Sequence, residues 1–135
     1  MIEVLFVCIG NSCRSPMAEG FANYYAKGIL KAYSAGSHPA GFIMPRTIEV
    51  MQEKGIDISH QGSKGLGAID MESLDWIINL EASLDRVLKP SSRRTQLQHW
   101  YVPDPVGQNI DIYRAVRDEI EVKVLDFIDQ ALKES

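Results

Sequence analysis

Short apolar runs alternate with segments of helical periodicity along this chain. The first run, residues 2–7, is nearly continuous and rich in β-branched side chains, which is typical of a strand buried on both faces of a parallel sheet. Three later runs carry weaker forms of the same signal. Strands are predicted over residues 2–7, 32–35, 74–80 and 96–101.

Helical segments separate these strands. Ser15 suits the N-cap of the first helix, Pro16 its first turn and Gly28 its end. Helices are predicted over residues 15–28, 45–55, 82–88 and 110–132. The alternation predicts a three-layer α/β fold, in which a four-stranded parallel sheet is flanked by helices.

Composition indicates an ordinary globular protein. Of the 135 residues, 45% are hydrophobic and 24% charged, and no linker divides them, so one domain over residues 1–135 is predicted. The net charge of −4 argues against general nucleic-acid binding. No apolar run reaches the ~20 residues of a membrane helix, and no signal peptide opens the sequence. We therefore expect a cytoplasmic protein that binds neither nucleic acid nor membranes.

The two cysteines, Cys8 and Cys13, lie in one short segment. A disulfide framework would spread an even set of cysteines along the chain. A zinc site would need more ligands, and no histidine lies at ligand spacing from this pair. We therefore expect a reactive thiol, no metal site and no cofactor.

The loop between the first strand and the first helix has the features of a phosphate-binding loop. Backbone N–H groups are free at a helix N-terminus, and the helix dipole adds positive potential there. Arg14 supplies a planar fork of donors that fits two oxygens of a phosphate-like anion, and the same groups would stabilise a Cys8 thiolate. The predicted oxyanion-binding residues are Ile9, Gly10, Asn11, Ser12, Cys13, Arg14 and Ser15.

A thiolate beside a tetrahedral oxyanion predicts nucleophilic attack on the central atom of that anion. Ser15 is expected to hydrogen-bond the Cys8 sulfur and to stabilise it as a leaving group in a second step. Asp104, between two prolines just after a predicted strand, is the candidate acid for the departing group.

The run V-C-I-G-N-S-C-R-S at residues 7–15, together with Asp104-Pro105, resembles the low-molecular-weight protein tyrosine phosphatase superfamily, which includes a branch of arsenate reductases. The resemblance extends over the whole chain. It implies a cysteinyl-phosphate intermediate and no metal in the chemistry. In the family's pattern Cys8 is the nucleophile, Arg14 binds the transferred group and Asp104 is the general acid.

The resemblance also implies residues that support the loop. Asn11 is similar to an asparagine whose side chain holds a left-handed turn, and Ser34 and His60 match the serine and histidine that assist it. Cys13 resembles a second cysteine that forms a reversible disulfide with the nucleophile and protects it from overoxidation.

Two activities share this loop, and the sequence favours a phosphatase. Thioredoxin-coupled reductases use a relay of further cysteines, whereas no cysteine follows Cys13, and His60 also fits the phosphatase pattern. Against this, Val106 and Gly107 replace the aromatic residues usual in phosphotyrosine phosphatases, and residues 99–120 look closer to the reductases. We expect hydrolysis of a phosphomonoester, on a phosphorylated protein or a small molecule. The alternative is arsenate reduction with an external thiol reductant.

Other hypotheses remain open. A binding module without turnover is less favoured, because Cys8, Arg14 and Asp104 are all present. Four residues are candidates for the rim of the pocket, with core filling as the competing interpretation for the loop pair: Phe42, Ile43, Trp100 and Tyr101. Trp76 and Phe127 are predicted core residues. Solvated helix charges are expected at Glu19, Arg117 and Asp118. The two histidines His38 and His99 are expected to be structural or solvent-facing.

Overall fold

The computed structural model of the protein describes residues 1–90 and 94–134, and contains one sheet of four parallel strands. The strands are β1 (Ile2–Cys8), β2 (Leu30–Gly36), β3 (Trp76–Asn79) and β4 (Gln96–His99). The α-helices are α1 (Arg14–Tyr25), α2 (Pro45–Gln52) and α3 (Ile110–Glu134). Single 3₁₀ turns lie at Leu66–Ala68, Met71–Ser73 and Ala82–Leu84.

The strand order β2-β1-β3-β4 places β1 inside the sheet, paired with β2 on one side and β3 on the other. The chain leaves β1 for β2 on one side and later returns to β3 on the other side. The carboxyl end of β1 is therefore a topological switch point, where parallel α/β sheets bind their ligands. Cys8 is the last residue of β1.

Side chains of β1 alternate between two hydrophobic clusters, as the period of a strand requires. Val4 and Phe6 pack in the cluster that contains the buried residues of all three α-helices, whereas Leu5 and Val7 face the opposite cluster. The 3₁₀ turns and their flanking segments cover that second face. The predicted three-layer α/β fold is confirmed, and its second outer layer consists of 3₁₀ turns and their flanking segments instead of α-helices.

An aromatic cluster joins α3 to the sheet. The Phe127 ring lies 5.2 Å from Trp76, 6.1 Å from Trp100 and 6.4 Å from Phe6, measured between ring centroids. Trp76 and Phe127 are buried, as predicted. Trp100 is also buried and therefore does not belong to the pocket rim, and Ile43 likewise fills the core.

The start of α1 and the burial of one charged side chain differ from the sequence-based prediction. The helix begins at Arg14, with Cys13 as its N-cap, so Ser15 lies inside the helix and its hydroxyl bonds elsewhere. Arg117, expected to be solvated, is buried and donates from Nη1 to the Val50 carbonyl at 2.9 Å. It thereby ties α3 to α2.

Several strand and helix ends also differ. β2 starts two residues earlier than predicted, while β3 and β4 stop at Asn79 and His99. The expected helix over residues 82–88 is only a 3₁₀ turn. No helix within the described part of the chain is long and apolar enough to cross a membrane.

Candidate active site

The loop from Ile9 to Cys13 joins β1 to α1 at the carboxyl edge of the sheet. Its carbonyl groups are held from outside by N–H groups of the segment that follows β2. These bonds run from Ser37 to Cys8 (3.3 Å), from His38 to Ile9 (2.9 Å), from Ala40 to Gly10 (2.9 Å) and from Met44 to Ser12 (2.9 Å). Because the carbonyls turn outward, the N–H groups of the same peptides turn toward the inside of the loop.

The N–H groups of this loop lack protein acceptors. Among the described residues, none from Ile9 to Ser15 donates a backbone hydrogen bond. Backbone N–H groups of folded proteins are nearly always paired, so a row of unpaired ones at a helix N-terminus is a candidate anion-binding site. These free donors lie in the loop for which the sequence predicts oxyanion binding.

Asn11 gives the loop its shape. It is the one non-glycine residue in the described chain with positive φ (47°), in the left-handed region that asparagine tolerates. Its Nδ2 donates to Ser15 Oγ and to Ser34 Oγ, both at 2.9 Å, and its Oδ1 accepts from the Lys64 N–H at 2.9 Å. The expected partnership with Ser34 is present.

His60 does not take part in this network. It is exposed and lies in a groove together with Glu19, while the third contact to Asn11 comes from the Lys64 backbone. The carbonyl of Lys64 also accepts from the Gly36 N–H at 2.9 Å, which fixes this segment beside the end of β2. The predicted contact between His60 and Asn11 is therefore wrong. The Lys64 backbone makes the third hydrogen bond to Asn11 instead.

Gly36 allows the loop to pack against β2. A Cβ atom at this position would lie 2.3 Å from the Ile9 carbonyl oxygen and 2.9 Å from the Asn11 nitrogen. Both are backbone atoms, which cannot rotate away as a flexible side chain would. Only glycine fits here without moving the loop.

The Cys8 sulfur lies 2.9 Å from Ser15 Oγ, in a buried contact. Ser15 Oγ already accepts a hydrogen bond from Asn11, so its own O–H is available to donate to the sulfur. A donated hydrogen bond stabilises a thiolate. The predicted pairing of Cys8 with Ser15 is therefore present.

Arg14 is buried beneath the loop. Its Nη1 donates to the carbonyls of Leu80 (3.1 Å) and Val102 (3.0 Å), and its Nη2 donates to Glu81 Oε1 (2.9 Å). One N–H on Nε and one on Nη2 have no acceptor within the described residues. Two adjacent donors are what bidentate contact with an oxyanion requires.

Glu81 is a site residue that the sequence analysis missed. Burial opposes its ionisation, but hydrogen bonds from Ser83 and Arg14 outweigh that effect and lower the pKa of its carboxyl group. The available signal was its position just beyond β3, at the same edge of the sheet as Cys8.

Asp104 is exposed and lies at the mouth of the site. Its Oδ2 is 3.9 Å from Arg14 Nη2, and its Oδ1 accepts from the Val106 N–H at 3.1 Å. A cleft of about 270 Å³ beside Arg14 and Asp104 is lined in part by Tyr101, which is exposed as expected for a rim residue. Phe42 is also exposed.

Cys13 is a buried free thiol at the N-cap of α1. Burial is the main cause that raises its pKa to about 12, and the neighbouring Cys8 adds to this, whereas Thr47 and Arg14 act in the opposite direction. Cys8 is also a free thiol, so the structure contains the reduced form of the pair.

Glu19 is a second missed residue. Instead of being solvated, its Oε1 accepts a 2.5 Å hydrogen bond from Ser34 Oγ, and Lys64 Nζ lies 3.9 Å from the same oxygen. Its spacing of four residues from Ser15 on α1 places both side chains on one side of the helix. That spacing was the usable signal.

Comparison with known proteins places this geometry in a family. The profile described as low molecular weight phosphotyrosine protein phosphatase matches residues 3–135. Arsenate reductase 1 of Staphylococcus epidermidis is 35% identical over 124 residues, covering 92% of this chain and 93% of its own.

Two solved structures share the fold. An arsenate reductase in the reduced state is 34% identical, with a TM-score of 0.85 and coverage of 96% of this chain and 98% of that one. A low molecular weight protein tyrosine phosphatase from T. tengcongensis is 29% identical, with a TM-score of 0.86 and coverage of 96% and 99%. With Cys8, Arg14 and Asp104 gathered around one loop, the chain belongs to the low molecular weight phosphotyrosine protein phosphatase family, whose members and relatives include arsenate reductases.

Proposed function

We propose that the protein is a cysteine-dependent enzyme that binds a tetrahedral oxyanion in the loop and reduces arsenate with an external thiol. The observation that carries this proposal is the row of unpaired N–H groups between Ile9 and Ser15, next to the Cys8 sulfur. The choice of arsenate follows the relatives named arsenate reductases, which favour this alternative over the phosphatase activity expected first from the sequence.

The first step forms a bond between the Cys8 sulfur and arsenic. The thiolate attacks arsenate, whose charge is neutralised by the loop N–H groups and by the free N–H groups of Arg14. One oxygen leaves as water after receiving a proton, for which Asp104 is the proposed donor. The product is a Cys8–arsenate adduct in which arsenic is still pentavalent.

The second step needs a sulfur from outside the chain. Cys13 is a poor attacking group because burial raises its pKa to about 12, and the sequence contains no third cysteine. An external thiol attacks the Cys8 sulfur, the sulfur–arsenic bond breaks, and its electron pair stays on arsenic, which leaves as arsenite. A second thiol then reduces the mixed disulfide and restores Cys8.

Phosphomonoester hydrolysis is the second candidate, and the position of Asp104 favours it. A carboxyl group near Arg14 is suited to protonate an alcohol leaving group and then to activate water against a Cys8–phosphate adduct. This route needs neither a thiol nor a further cysteine, and its substrate is a phosphorylated protein or a small phosphomonoester.

The two candidates are separated by measuring both reactions on one preparation. We expect arsenite formation that depends on added thiol, supplied either as a low-molecular-weight thiol or as a dithiol protein such as thioredoxin. Hydrolysis of p-nitrophenyl phosphate should be much slower. Fast hydrolysis without arsenite formation would reverse the assignment in favour of the phosphatase.

Two variants serve as controls for that experiment. Cys8→Ser should abolish both reactions while retaining stabilisation by phosphate in a thermal shift assay, since the anion-binding N–H groups remain. Cys13→Ala should keep most of the thiol-dependent turnover. If Cys13→Ala were inactive with excess thiol, an external attack on Cys8 would be excluded as the main route.

A further inference from the structure

We propose that Arg46 is a positioning residue that holds the segment carrying Asp104 (residues 103–108, the acid loop) in place beside the anion loop (residues 9–13). The inference rests on the proposed function, in which Asp104 is the proton donor. It adds a residue of α2, which belongs to neither loop, to the groups that control the chemistry at Cys8.

The hydrogen bonds inside the acid loop shape its turn but do not attach it to the rest of the molecule. The Val106 N–H donates to Asp104 Oδ1 at 3.1 Å, and Gln108 Nε2 donates to the Asp104 carbonyl at 3.4 Å. The Gln108 N–H donates to the Pro105 carbonyl at 2.9 Å. Pro105 is buried, whereas Asp104 and Gln108 are exposed.

Within the described part of the chain, one hydrogen bond joins the acid loop to another element. In this bond Arg46 Nη1 donates to the Gln108 carbonyl at 2.5 Å. The Arg46 guanidinium also lies over the ring of Tyr113, 5.9 Å from the ring centroid, and Tyr113 is a buried residue of α3. The buried ring supports an otherwise exposed side chain, so Arg46 is held in a position from which it reaches the acid loop.

The start of α2 also holds the anion loop. Met44, the N-cap of α2, donates its N–H to the Ser12 carbonyl at 2.9 Å, and Arg46 lies two residues further along the chain. The Met44 carbonyl in turn accepts a hydrogen bond from the Thr47 N–H at 2.9 Å. One helical turn therefore contacts both loops and forms a bridge between the anion-binding donors and the acid.

This bridge controls where the Asp104 carboxyl group lies. Asp104 Oδ2 is 3.9 Å from Arg14 Nη2, which donates one N–H to Glu81 and keeps the other for the anion. A proton donor must lie within hydrogen-bond reach of the departing oxygen, and a misplacement of about 1 Å can cost about a hundredfold in rate. Without the bond from Arg46, the acid loop is free to move at the end nearest α3, and the carboxyl group spends less time beside the anion.

Hydrogen exchange followed by mass spectrometry tests whether Arg46 holds the acid loop. Arg46→Met keeps an apolar side chain over Tyr113 but has no donor, and should speed exchange in peptides covering residues 103–109 about three- to tenfold. Arg46→Lys keeps a cationic donor and should restore most of the protection. Lys133→Met is the control for the loss of one surface cation, since it lies about 35 Å along α3 from the end nearest the acid loop, and should leave exchange unchanged.

Turnover separates a positioning role from a general loss of stability. At saturating thiol, Arg46→Met should lower kcat for arsenite formation about tenfold. The KM for arsenate and the affinity for inorganic phosphate, measured by calorimetry, should change less than about twofold, because the anion loop is intact. Asp104→Asn should lower kcat about a hundredfold. Adding Arg46→Met to Asp104→Asn should cost nothing further, because no acid is left to position.

The outcomes separate this inference from the proposed function. If the wild-type protein forms no arsenite but hydrolyses phosphomonoesters, the reductase assignment is overturned. The same variants then measure the role of Arg46 on phenyl phosphate, whose poor leaving group requires the acid.

The positioning role alone is overturned if exchange in Arg46→Met equals that of wild type, or if Arg46→Met lowers kcat equally with and without Asp104. If the wild-type protein catalyses neither reaction, both proposals are overturned.

Discussion

Asn11 shows how one residue shapes the site. It combines a left-handed backbone with three hydrogen bonds from a fully buried side chain. The backbone turn orients neighbouring peptides of the proposed anion site, while the amide group connects the loop to α1, β2 and the segment at Lys64. The two roles can be separated by substitution.

Asn11→Ala and Asn11→Gly form a matched pair for that purpose. Both lose the amide and leave buried partners unsatisfied, which costs about 1–3 kcal/mol and should strongly reduce turnover. Alanine should cost about 1 kcal/mol more than glycine, because it disfavours positive φ. Urea unfolding measures the difference. Equal stabilities would contradict a backbone cost at this position.

Cys13 leads to a prediction about oxidation. The resemblance to the family implies a reversible disulfide with Cys8, and burial raises the pKa of Cys13 to about 12. Below that value the thiolate fraction rises about tenfold for each pH unit, so disulfide formation after peroxide treatment should accelerate to the same degree.

Intact mass measurements at several pH values follow that reaction, and Cys13→Ala should instead accumulate higher oxidation states of Cys8. A rate of disulfide formation that does not change with pH would show that Cys13 attacks as something other than a thiolate.

The sequence identified site residues where they belong to one contiguous loop motif, as Cys8 and Arg14 do, or where prolines flank them, as at Asp104. Cys8, Arg14 and Asp104 all meet at the loop. Glu81 and the contact between the Lys64 backbone and Asn11 were missed because they depend on strand order and on the path of a long connection, which local patterns do not encode. The expectation for His60 failed for the same reason.

At the scale of elements, β1 and α3 were the most predictable, because each carries a long and regular apolar pattern. The ends of β3 and β4 were harder to predict, because their apolar runs continue past the last paired residue. Three residues beyond the strand ends are buried: Leu80, Trp100 and Val102. At the edge of the sheet where the site lies, buried residues therefore extend beyond the residues that pair as strands.

The contact between β2 and the loop gives a prediction at this scale. Gly36→Ala places a methyl group against backbone atoms of Ile9 and Asn11 and must displace the loop. We expect a loss of about 1–3 kcal/mol of stability and a large loss of phosphate binding, measured by calorimetry. Gly62→Ala is the control, because nothing lies within 4 Å of its added Cβ. Unchanged phosphate affinity in Gly36→Ala would contradict this account.

Glu53 joins α2 to α3 through ion pairs with Arg114 (2.8 Å) and Arg117 (2.6 Å). Hydrogen bonds from these arginines lower its pKa to about 2. A depressed pKa stabilises the fold above the ordinary value near 4.5, and this contribution disappears as the pH falls from there to about 2.

Thermal unfolding should therefore give Glu53→Gln a lower Tm than wild type at neutral pH. This difference in Tm should disappear in acid and become smaller in high salt. Glu49→Gln, an exposed carboxylate on α2, should show almost no gap. A gap that persists at about pH 2 would point to packing instead of charge.

At the scale of the whole molecule, the aromatic cluster links the helical layer to the strands that carry the site. Phe127 contacts rings from β1, β3 and the residue after β4. Phe127→Ala should cost about 3–5 kcal/mol in denaturant unfolding, and Phe127→Leu clearly less. A loss below about 1 kcal/mol for the alanine variant would show that the core refills the space.

The outward bonds of the loop carbonyls have a consequence for selectivity. Because residues 37–44 hold these carbonyls from outside, the donors are in place before any anion arrives, and the cradle has little freedom to adjust to its guest. Phosphate and arsenate have the same shape and charge, so both should occupy it, and inorganic phosphate should act as a competitive inhibitor. For the proposed reductase, discrimination would then occur after binding, since a thiol can transfer electrons to arsenic(V) but not to phosphorus(V).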